Sequence, residues 1–334
     1  MKEEDKFLII GSNSFSGASF VAYALNENAN AHVVGISRSA EYRDCFLAYK
    51  KVRNKNFEFH QLNLNNQLDE IISIVRYFRP DYIVNFAAQG MVAESWDKPE
   101  QWFQTNCLAI MNFGHQLLGE EYLKRFVQIS TPEVYGSCTG ITEANAKLHP
   151  STPYAASKAC GDLSLYPFFV KKGFPLVITR ATNVYGPHQQ LYRIIPRTIL
   201  YLLMGKKILL DGGGKAIKSY MHIRDVCDAT MKITRSGRNG EVYHISPDNY
   251  GIRICDLVNM ICKKMKKNYK KCIKMKANRD GQDAKYVISS NKLREAFGWK
   301  PTIELDEGID EVISWIEENY KELIKTSMNY VHKP

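Results

Sequence analysis

No stretch of this 334-residue chain approaches the run of about 18 apolar residues that a membrane-spanning helix requires. The charged residues 1–6 lead directly into a hydrophobic segment, which is not the pattern of a signal peptide. From these two absences we expect a cytoplasmic protein with no membrane partner.

The chain also lacks C-x-x-C pairs and any cysteine spacing typical of zinc sites. Its eight cysteines are scattered singly, which favours free thiols in a reducing compartment over a disulfide framework. Most of them are expected to be small core residues. The sequence therefore predicts no metal site.

Acidic residues are fewer than basic ones: the chain has 35 aspartates and glutamates and 45 lysines and arginines, for a net charge of +10. This balance favours acidic partners, such as nucleic acids, anionic membranes or phosphorylated small molecules. Much of the excess lies in the lysine-rich run 263–276, which lacks the Arg-Gly or recognition-helix context of nucleic-acid-binding proteins. We interpret the run as a solvated helix or loop surface and expect no nucleic-acid partner.

Hydrophobic segments of strand length alternate with segments of helix length through the first half of the chain. Strands are predicted at 7–10, 32–36, 57–64, 83–89 and 125–129, and helices at 17–25, 68–78 and 101–118. This alternation is typical of an α/β protein with a doubly wound parallel sheet of the Rossmann type. Because the pattern loosens from about residue 183, we assign residues 1–182 mainly to the Rossmann domain. Residues 183–334 are assigned mainly to a smaller C-terminal lobe, interleaved with the first.

The turn after the first strand has one glycine fewer than the usual dinucleotide-binding motif. Glycines stand at Gly11 and Gly17, and Ser14 takes the middle position. Gly11 allows a tight turn, Gly17 allows the helix to pack closely on the strand, and the helix N-terminus faces a pyrophosphate. Alone, such a turn also fits an ordinary β–α connection. In its parallel-sheet context we predict four cofactor contacts here: Gly11, Ser14, Phe15 and Gly17.

An acidic residue is missing where this fold usually binds the adenosine ribose. The second strand ends in Ser37 and Arg38, and a neutral residue followed by a cation favours the 2′-phosphate of NADP(H). Stacking of Arg38 on adenine is the alternative, and it would suit NAD equally. Small and polar residues after the fourth strand and in the next helix complete the predicted cofactor site: Ala87, Ala88, Gln89 and Asn106.

Two candidate catalytic side chains follow the strand 125–129. They are Thr131, whose hydroxyl can orient a substrate hydroxyl, and Glu133, whose carboxylate can act as a base. Between them stands Pro132, which has no proton to give.

A helix begins at Thr152, a hydroxyl N-cap followed by a proline at the first helical position. Tyr154 and Lys158 then share one helix face. A nearby ammonium and a cationic nicotinamide would lower the pKa of the phenol from about 10. A surface pair is the ordinary explanation of this spacing, but the dinucleotide turn and the parallel sheet argue against it. Pro167 is predicted to kink or end the helix early.

Together these motifs resemble those of the extended short-chain dehydrogenase/reductases and, within them, the nucleotide-sugar 4,6-dehydratases that act on dTDP-glucose or GDP-mannose. The likeness runs nearly end to end and includes the segments 179–187, 193–196, 218–225, 281–286 and 293–301. The segment 85–96, with Ser37 and Arg38, is most similar to dehydratases of GDP- or UDP-linked sugars. Within these it resembles the branch that makes 4-keto-6-deoxy-N-acetylglucosamine nucleotides for legionaminic-type sugars.

The resemblance implies a lyase reaction. Tyr154 would deprotonate the sugar C4 hydroxyl, oriented by Thr131, while hydride passes from C4 to a nicotinamide whose ribose is held by Lys158. Glu133 would then remove the C5 proton while the C6 hydroxyl leaves as water. Hydride return to C6 would give a 4-keto-6-deoxy sugar with no net use of the cofactor.

The resemblance also implies partners. A GDP-, UDP- or dTDP-linked sugar would be bound by four residues of the second half: Asn183, Arg193, Lys218 and Arg279. A homodimer would form through the helix bearing Tyr154 and the helix 101–118.

The sequence departs from the dTDP-glucose enzymes at Pro132, where those enzymes carry an aspartate as acid toward the C6 oxygen. GDP-mannose 4,6-dehydratases also lack that aspartate and keep a threonine and the glutamate, so Glu133, Thr131 or a bound water would have to supply the proton. A 4-epimerase or a UDP-glucuronate decarboxylase of the same family remains an alternative. A protein of another class, a cofactor-binding scaffold that holds RNA or membrane through the run 263–276, is the third hypothesis.

Overall fold

The computed structural model describes residues 4–248, 251–277 and 285–333. Its strands are β1 Lys6–Ile10, β2 His32–Ser37, β3 Phe57–Gln61, β4 Tyr82–Asn85, β5 Arg125–Ser130, β6 Cys138–Ile141, β7 Leu176–Ala181, β8 Asn183–Tyr185, β9 Ile208–Asp211, β10 Ile217–Lys218, β11 Tyr220–His222, β12 Val242–Ile245, β13 Ile252–Arg253, β14 Ile273–Lys276 and β15 Lys285–Ile288. Its α-helices are α1 Phe15–Glu27, α2 Leu68–Phe78, α3 Pro99–Phe103, α4 Ile110–Gln116, α5 Pro153–Lys172, α6 Ile194–Leu203, α7 Ile223–Ser236, α8 Ile254–Lys264, α9 Tyr269–Cys272, α10 Asn291–Phe297, α11 Leu305–Glu318 and α12 Tyr320–Leu323.

Seven parallel strands form the central sheet, in the order β12-β7-β5-β4-β1-β2-β3. The strand order reverses between β1 and β4, and ligands of such sheets bind at that point, outside the carboxyl ends of the strands. The predicted Rossmann-type α/β fold is therefore confirmed.

Apolar side chains cover both faces of the central sheet. Helices α1 and α7 close one face around Phe7, Ile9 and Phe20. Helices α2, α4 and α5 close the other around Leu8, Ile10 and neighbours such as Phe126. Because both faces are buried, β1 is apolar along nearly its whole length instead of alternating.

A smaller lobe packs beside the sheet around a third apolar cluster from α6, α8 and α11. The two regions are interleaved along the chain. Strand β12 joins the central sheet although it lies beyond residue 183, and β6 joins the four-stranded sheet β13-β10-β15-β6 although it precedes that residue.

The lysine-rich run 263–276 spans the end of α8, all of α9 and strand β14. Its Lys264 pairs with Asp306 and Asp310 of α11, at 2.8 Å from each. Within the described residues, no helix has both the length and the apolar character needed to cross a membrane.

Two predictions about helices are corrected. The predicted helix 101–118 is three joined pieces, because a π-helical segment, Gln104–Ala109, separates α3 from α4. Helix α5 continues through Pro167 to Lys172. Pro167 removes the hydrogen bond to the carbonyl of Leu163, but both residues lie on the exposed face, where water can satisfy that carbonyl.

Candidate active site

The turn between β1 and α1 is closely packed. Gly11 has a φ of 81°, and a Cβ there would lie 2.7 Å from the backbone nitrogen of Ala87. A Cβ on Gly17 would lie 2.2 Å from the Gly11 carbonyl oxygen. Ser14 caps α1, its Oγ accepting from the Gly17 N–H at 3.1 Å. Two glycines therefore suffice for the tight turn, and the exposed amides of the helix N-terminus suit a diphosphate.

A cavity of about 180 Å³ opens beside this turn at the carboxyl edge of the sheet. Of the predicted cofactor residues, six line it: Gly11, Ser14, Ser37, Arg38, Ala87 and Ala88. Burial lowers the pKa of Arg38. No carboxylate stands among the cavity-lining residues, so this edge suits a dinucleotide diphosphate and tolerates a further phosphate.

The Phe15 side chain lies in the hydrophobic core under α1, so only its backbone can serve a cofactor. Gln89 and Asn106 are bonded to each other, since Asn106 Oδ1 accepts from the Gln89 N–H at 2.8 Å and Asn106 Nδ2 donates to the Gln89 carbonyl at 3.0 Å. Asn106 Nδ2 also donates to Ser157 Oγ at 2.9 Å, and Gln89 Nε2 donates to the Lys333 carbonyl at 2.6 Å. These two amides brace the loop after β4 against α5, and their cofactor contact stays a prediction.

A short turn carries the predicted hydroxyl and carboxylate. A 3₁₀ turn, Pro132–Tyr135, follows β5, and Thr131 is its N-cap, with Oγ1 accepting from the Glu133 N–H at 3.3 Å. Pro132 is buried at the first position of the turn, whereas Glu133 is partly exposed. Gly136 ends the turn with a φ of 65°, and a Cβ there would lie 2.4 Å from the His149 carbonyl oxygen.

Helix α5 brings the tyrosine and the lysine to the same place. Thr152 Oγ1 accepts from the Ala155 N–H at 3.2 Å, which confirms the predicted cap. The Tyr154 N–H donates to Ser95 Oγ at 3.1 Å. Lys158 is 2 % exposed, and its Nζ donates to the Ile129 carbonyl at 2.7 Å.

The charges around Tyr154 show which side chains surround it. Burial and the Glu133 carboxylate raise the pKa of Tyr154, whereas a hydrogen bond from Thr131 and the Arg193 guanidinium oppose the rise. The protein's own groups therefore leave the phenol protonated at neutral pH. Thr131 thus contacts the phenol, and Glu133 and Arg193 are close enough for their charges to affect its pKa.

Lys158 responds to burial in the opposite sense. Burial lowers its pKa to about 8, the Asp162 carboxylate opposes this, and the Arg180 guanidinium adds to it. The side chain therefore gains or loses its charge close to physiological pH.

One of the predicted substrate residues, Asn183, lies on a paired strand, and Arg193 directly precedes helix α6. Asn183 in β8 is paired with Tyr220 in β11, and its Nδ2 donates to the Ser219 carbonyl at 3.0 Å. Burial raises the pKa of Tyr220, and the Arg193 guanidinium opposes this rise, as it does at Tyr154. Lys218 is largely buried in β10, and Arg279 lies outside the described residues.

Some residues at these sites escaped the sequence prediction. Asn63 and Asn65 line the cofactor cavity. Their position directly after β3 was a usable signal, because polar residues at the carboxyl ends of parallel strands face the ligand cleft. Ser95, fully buried in the 3₁₀ turn Ala93–Trp96, gave no signal, since only the folded chain brings it to the start of α5.

The chain matches the family model described as GDP-mannose 4,6 dehydratase over residues 8–312. It is 28% identical to dTDP-glucose 4,6-dehydratase 1 of Escherichia coli, with 95% of this chain and 94% of the relative covered.

Two solved structures are similar along nearly their whole length. A dTDP-glucose 4,6-dehydratase from Bacillus anthracis in complex with NAD superposes with a TM-score of 0.87 at 27% identity, covering 96% of this chain and 99% of the other. DesIV, a dTDP-glucose 4,6-dehydratase from Streptomyces venezuelae with NAD bound, gives a TM-score of 0.86 at 25% identity, covering 95% of this chain and 98% of the other.

Proposed function

We propose that Thr131, Glu133, Tyr154 and Lys158 carry the reaction of this chain, which belongs to the GDP-mannose 4,6-dehydratase family of extended short-chain dehydrogenase/reductases. It is a nucleotide-sugar 4,6-dehydratase, a lyase that uses a nicotinamide dinucleotide. The observation that supports these residues is the meeting of four functional groups from two elements. Thr131 and Glu133, at the turn after β5, both shift the pKa of the Tyr154 phenol at the start of α5.

Each residue has a separate task. A bound nicotinamide would supply a hydride acceptor for C4 of the sugar and a hydride donor for C6. Tyr154, whose pKa the positive charge of a bound nicotinamide would lower, removes the proton of the C4 hydroxyl as a phenolate, and Thr131 holds that hydroxyl by a hydrogen bond. Lys158, one turn further along α5, supplies a positive charge and a donor for a ribose hydroxyl.

The elimination falls to the turn. Oxidation at C4 acidifies the C5 proton, and Glu133 removes it while the C6 oxygen leaves as water. Pro132 offers no proton, so we propose that the proton taken up by Glu133 is the one that leaves with the C6 oxygen. Return of hydride to C6 then requires a proton at C5, which the partly exposed Glu133 takes up from water and delivers, while Tyr154 releases the C4 proton to water.

The substrate is proposed to be a hexose or N-acetylhexosamine linked to a nucleoside diphosphate. Arg193, next to Tyr154, supports this proposal because a guanidinium binds phosphate through paired N–H groups. Asn183 in β8, Lys218 in β10 and Arg279 are the other proposed contacts.

Mass spectrometry after incubation with GDP-, UDP- and dTDP-linked hexoses and N-acetylhexosamines tests base, sugar and reaction at once. We expect a product lighter by one water from at least one of them, with no net consumption of cofactor. Carbon dioxide released from UDP-glucuronate, or an epimer that keeps its C6 hydroxyl, would contradict the proposed reaction.

For the cofactor we propose NADP(H), on the strength of Ser37, Arg38 and a cavity edge without carboxylates. Both dehydratase structures described above contain NAD, which favours NAD(H) instead. The two dinucleotides differ only by the adenosine 2′-phosphate, so Arg38 is the residue on which the choice depends.

The nucleotide released on denaturing the purified protein identifies the cofactor. Arg38→Ala is expected to weaken NADP(H) binding about tenfold, the effect of one charge-assisted hydrogen bond, and to leave NAD(H) binding nearly unchanged. Arg53→Ala, at an exposed arginine outside the cavity, is the matched control. Release of NAD alone, or equal weakening of both dinucleotides, would contradict NADP(H).

We also propose that the chain forms a homodimer through α5 and the helical segment from α3 to α4. These neighbouring helices expose five large apolar side chains: Phe103, Leu108, Leu163, Tyr166 and Val170. Light scattering of Leu163→Glu should report a monomer where the unchanged chain is a dimer. Leu209→Glu, at an exposed leucine in β9, is the control and should remain dimeric.

A further inference from the structure

A chain of buried polar groups lies behind the candidate site. Asp162, Arg180, Tyr135 and His244 are each at most 5 % exposed. Arg180 Nη2 donates to Asp162 Oδ2 at 2.7 Å, and Arg180 Nη1 donates to the Tyr135 hydroxyl. The Tyr135 hydroxyl lies 2.6 Å from His244 Nε2, and the His244 N–H donates to Glu143 Oε1 at 2.7 Å.

At one end this series of buried polar groups reaches the residues assigned to hydride transfer. Asp162 follows Lys158 by one turn of α5, and Ser130 Oγ donates to Asp162 Oδ2 at 2.7 Å. The adjacent Ile129 carbonyl accepts from Lys158 Nζ. The last residues of β5 therefore hold both the lysine and the aspartate of α5.

On the other side it reaches the residue assigned to the elimination. Tyr135 is the last residue of the 3₁₀ turn that carries Glu133. The Arg180 guanidinium also lies over the Tyr135 ring, 4.8 Å from its centroid. Arg180 itself stands on β7, next to β5 in the central sheet. One arginine on a rigid strand thus bonds the element with Lys158 and the element with Glu133.

Burying these charged groups costs free energy, because buried charges lose their hydration. Apolar side chains of similar volume in their place often leave the fold at least as stable. In exchange, the hydrogen bonds of a buried polar network hold its members in one geometry. Here Arg180 bonds through Nη1 and Nη2, whereas Arg180 Nε and Asp162 Oδ1 have no hydrogen-bond partner among the described residues. The proposed reaction needs that geometry, because Tyr154 acts at C4 and Glu133 at C5 of the same sugar, and a displacement of about 1 Å can cost about 100-fold in rate.

We propose that Arg180 is a positioning residue that fixes Glu133 relative to the Tyr154–Lys158 pair, acting through Tyr135 on one side and Asp162 on the other. It touches neither the substrate nor the reacting atoms. This inference rests on the proposed function, and it predicts that loosening either side of the bridge affects one half of the reaction more than the other.

Tyr135→Phe tests the side of the turn, since it keeps the ring and removes only the hydroxyl. The two halves are followed separately in deuterated buffer, by the absorbance of reduced nicotinamide for C4 oxidation and by deuterium incorporation at C5 for the elimination. We expect elimination to slow about tenfold or more and C4 oxidation to change by less than about threefold.

Ser130→Ala tests the other side, because it removes the hydroxyl that holds Asp162 beside Lys158. In this variant the rate of C4 oxidation should fall more than the rate of the elimination, the opposite of the result expected for Tyr135→Phe. Tyr49→Phe is the control. Its hydroxyl also belongs to a buried tyrosine and donates to Glu41 at 2.9 Å, far along the chain from the network, so both steps should keep their rates.

Hydrogen exchange of the cofactor-free protein gives a readout independent of activity. Tyr135→Phe should speed amide exchange in residues 131–136 and leave residues 153–172 unchanged. If both variants slow the two steps by the same factor and residues 131–136 exchange as before, the network is only structural and the inference is wrong. A parent protein that yields neither reduced nicotinamide nor C5 deuterium with any nucleotide sugar would instead contradict the proposed function.

Discussion

The two halves of the candidate site are built on very different elements. Tyr154 and Lys158 stand in the first turns of the 20-residue helix α5, which Thr152 caps. Glu133, the residue assigned to the elimination, stands on a 3₁₀ turn of four residues that Thr131 caps. The backbone hydrogen bonds of the helix fix the positions of Tyr154 and Lys158. The position of the turn depends instead on contacts with other segments, such as the hydrogen bond of the Tyr135 hydroxyl and the close approach of Gly136 to His149.

This contrast suggests why one half is chemically complete and the other is not. The redox half has the Thr131 hydroxyl, the Tyr154 phenol and the Lys158 ammonium in place, and burial lowers the pKa of Lys158 to about 8. The elimination half has one carboxylate and a buried proline where a second acid could stand. We therefore assign both proton transfers of the elimination, from C5 and to the C6 oxygen, to Glu133.

The largest effect is expected from Tyr154→Phe, which removes the base of the redox half. C4 oxidation should fall about 1000-fold, within the range that a positioned general base contributes. Rapid mixing with a nucleotide sugar, followed by the absorbance of reduced nicotinamide, measures it. Tyr77→Phe, at a tyrosine that is 92 % exposed, should react like the parent. A loss below about tenfold would assign the base to another group.

Lys158→Met should abolish activity while making the protein more stable at neutral pH. Burial lowers the pKa of Lys158 from 10.5 to about 8. Keeping it charged in the fold therefore costs up to about 3 kcal/mol, since one pKa unit corresponds to about 1.4 kcal/mol. Chemical denaturation measures the gain, and a less stable variant would contradict the prediction.

The pH dependence of stability follows from the same shift. Below about pH 8 the folded and the unfolded chain both hold the lysine proton, so the cost of the buried charge is present in full. Between about 8 and 10.5 the unfolded chain binds more protons, so raising the pH stabilises the fold. The parent protein should therefore approach Lys158→Met in unfolding free energy as the pH rises through this window, and a constant difference would contradict the assigned shift.

The smallest effect is expected from Thr152→Ala, which removes the cap of α5. Loss of an N-cap costs about 1 kcal/mol of stability, and the first turn, with Tyr154, should loosen. Thermal unfolding measures the cost, with Thr139→Ala at an exposed threonine as the control. An unchanged midpoint would show that packing alone defines the start of the helix.

The sequence was informative wherever function depends on local pattern. Alternating strands and helices predicted the parallel sheet, the spacing of Gly11 and Gly17 predicted the tight turn between β1 and α1, and Thr152 predicted the start of α5. Each of these signals lies within a few residues of the structure it specifies, so a single stretch of chain is enough to recognise it.

It was less informative wherever function depends on contacts between distant segments. The π-helical segment around Asn106 forms where that residue meets Gln89 and Ser157, and nothing in the local pattern of 101–118 predicts it. Arg180 and Asp162 were not singled out, because their roles arise only when β7, α5 and the turn after β5 come together. Pro167 was misjudged because the exposure of its helix face depends on packing.

The assignment of the elimination to Glu133 is tested most directly by Glu133→Gln with a nucleotide sugar in deuterated buffer. Because the redox half is intact in this variant, we predict that reduced nicotinamide forms and persists. We also predict no deuterium at C5 and no product lighter by one water. Deuterium incorporation and product formation at the parent's rate would show that another group removes the C5 proton, and would contradict the account.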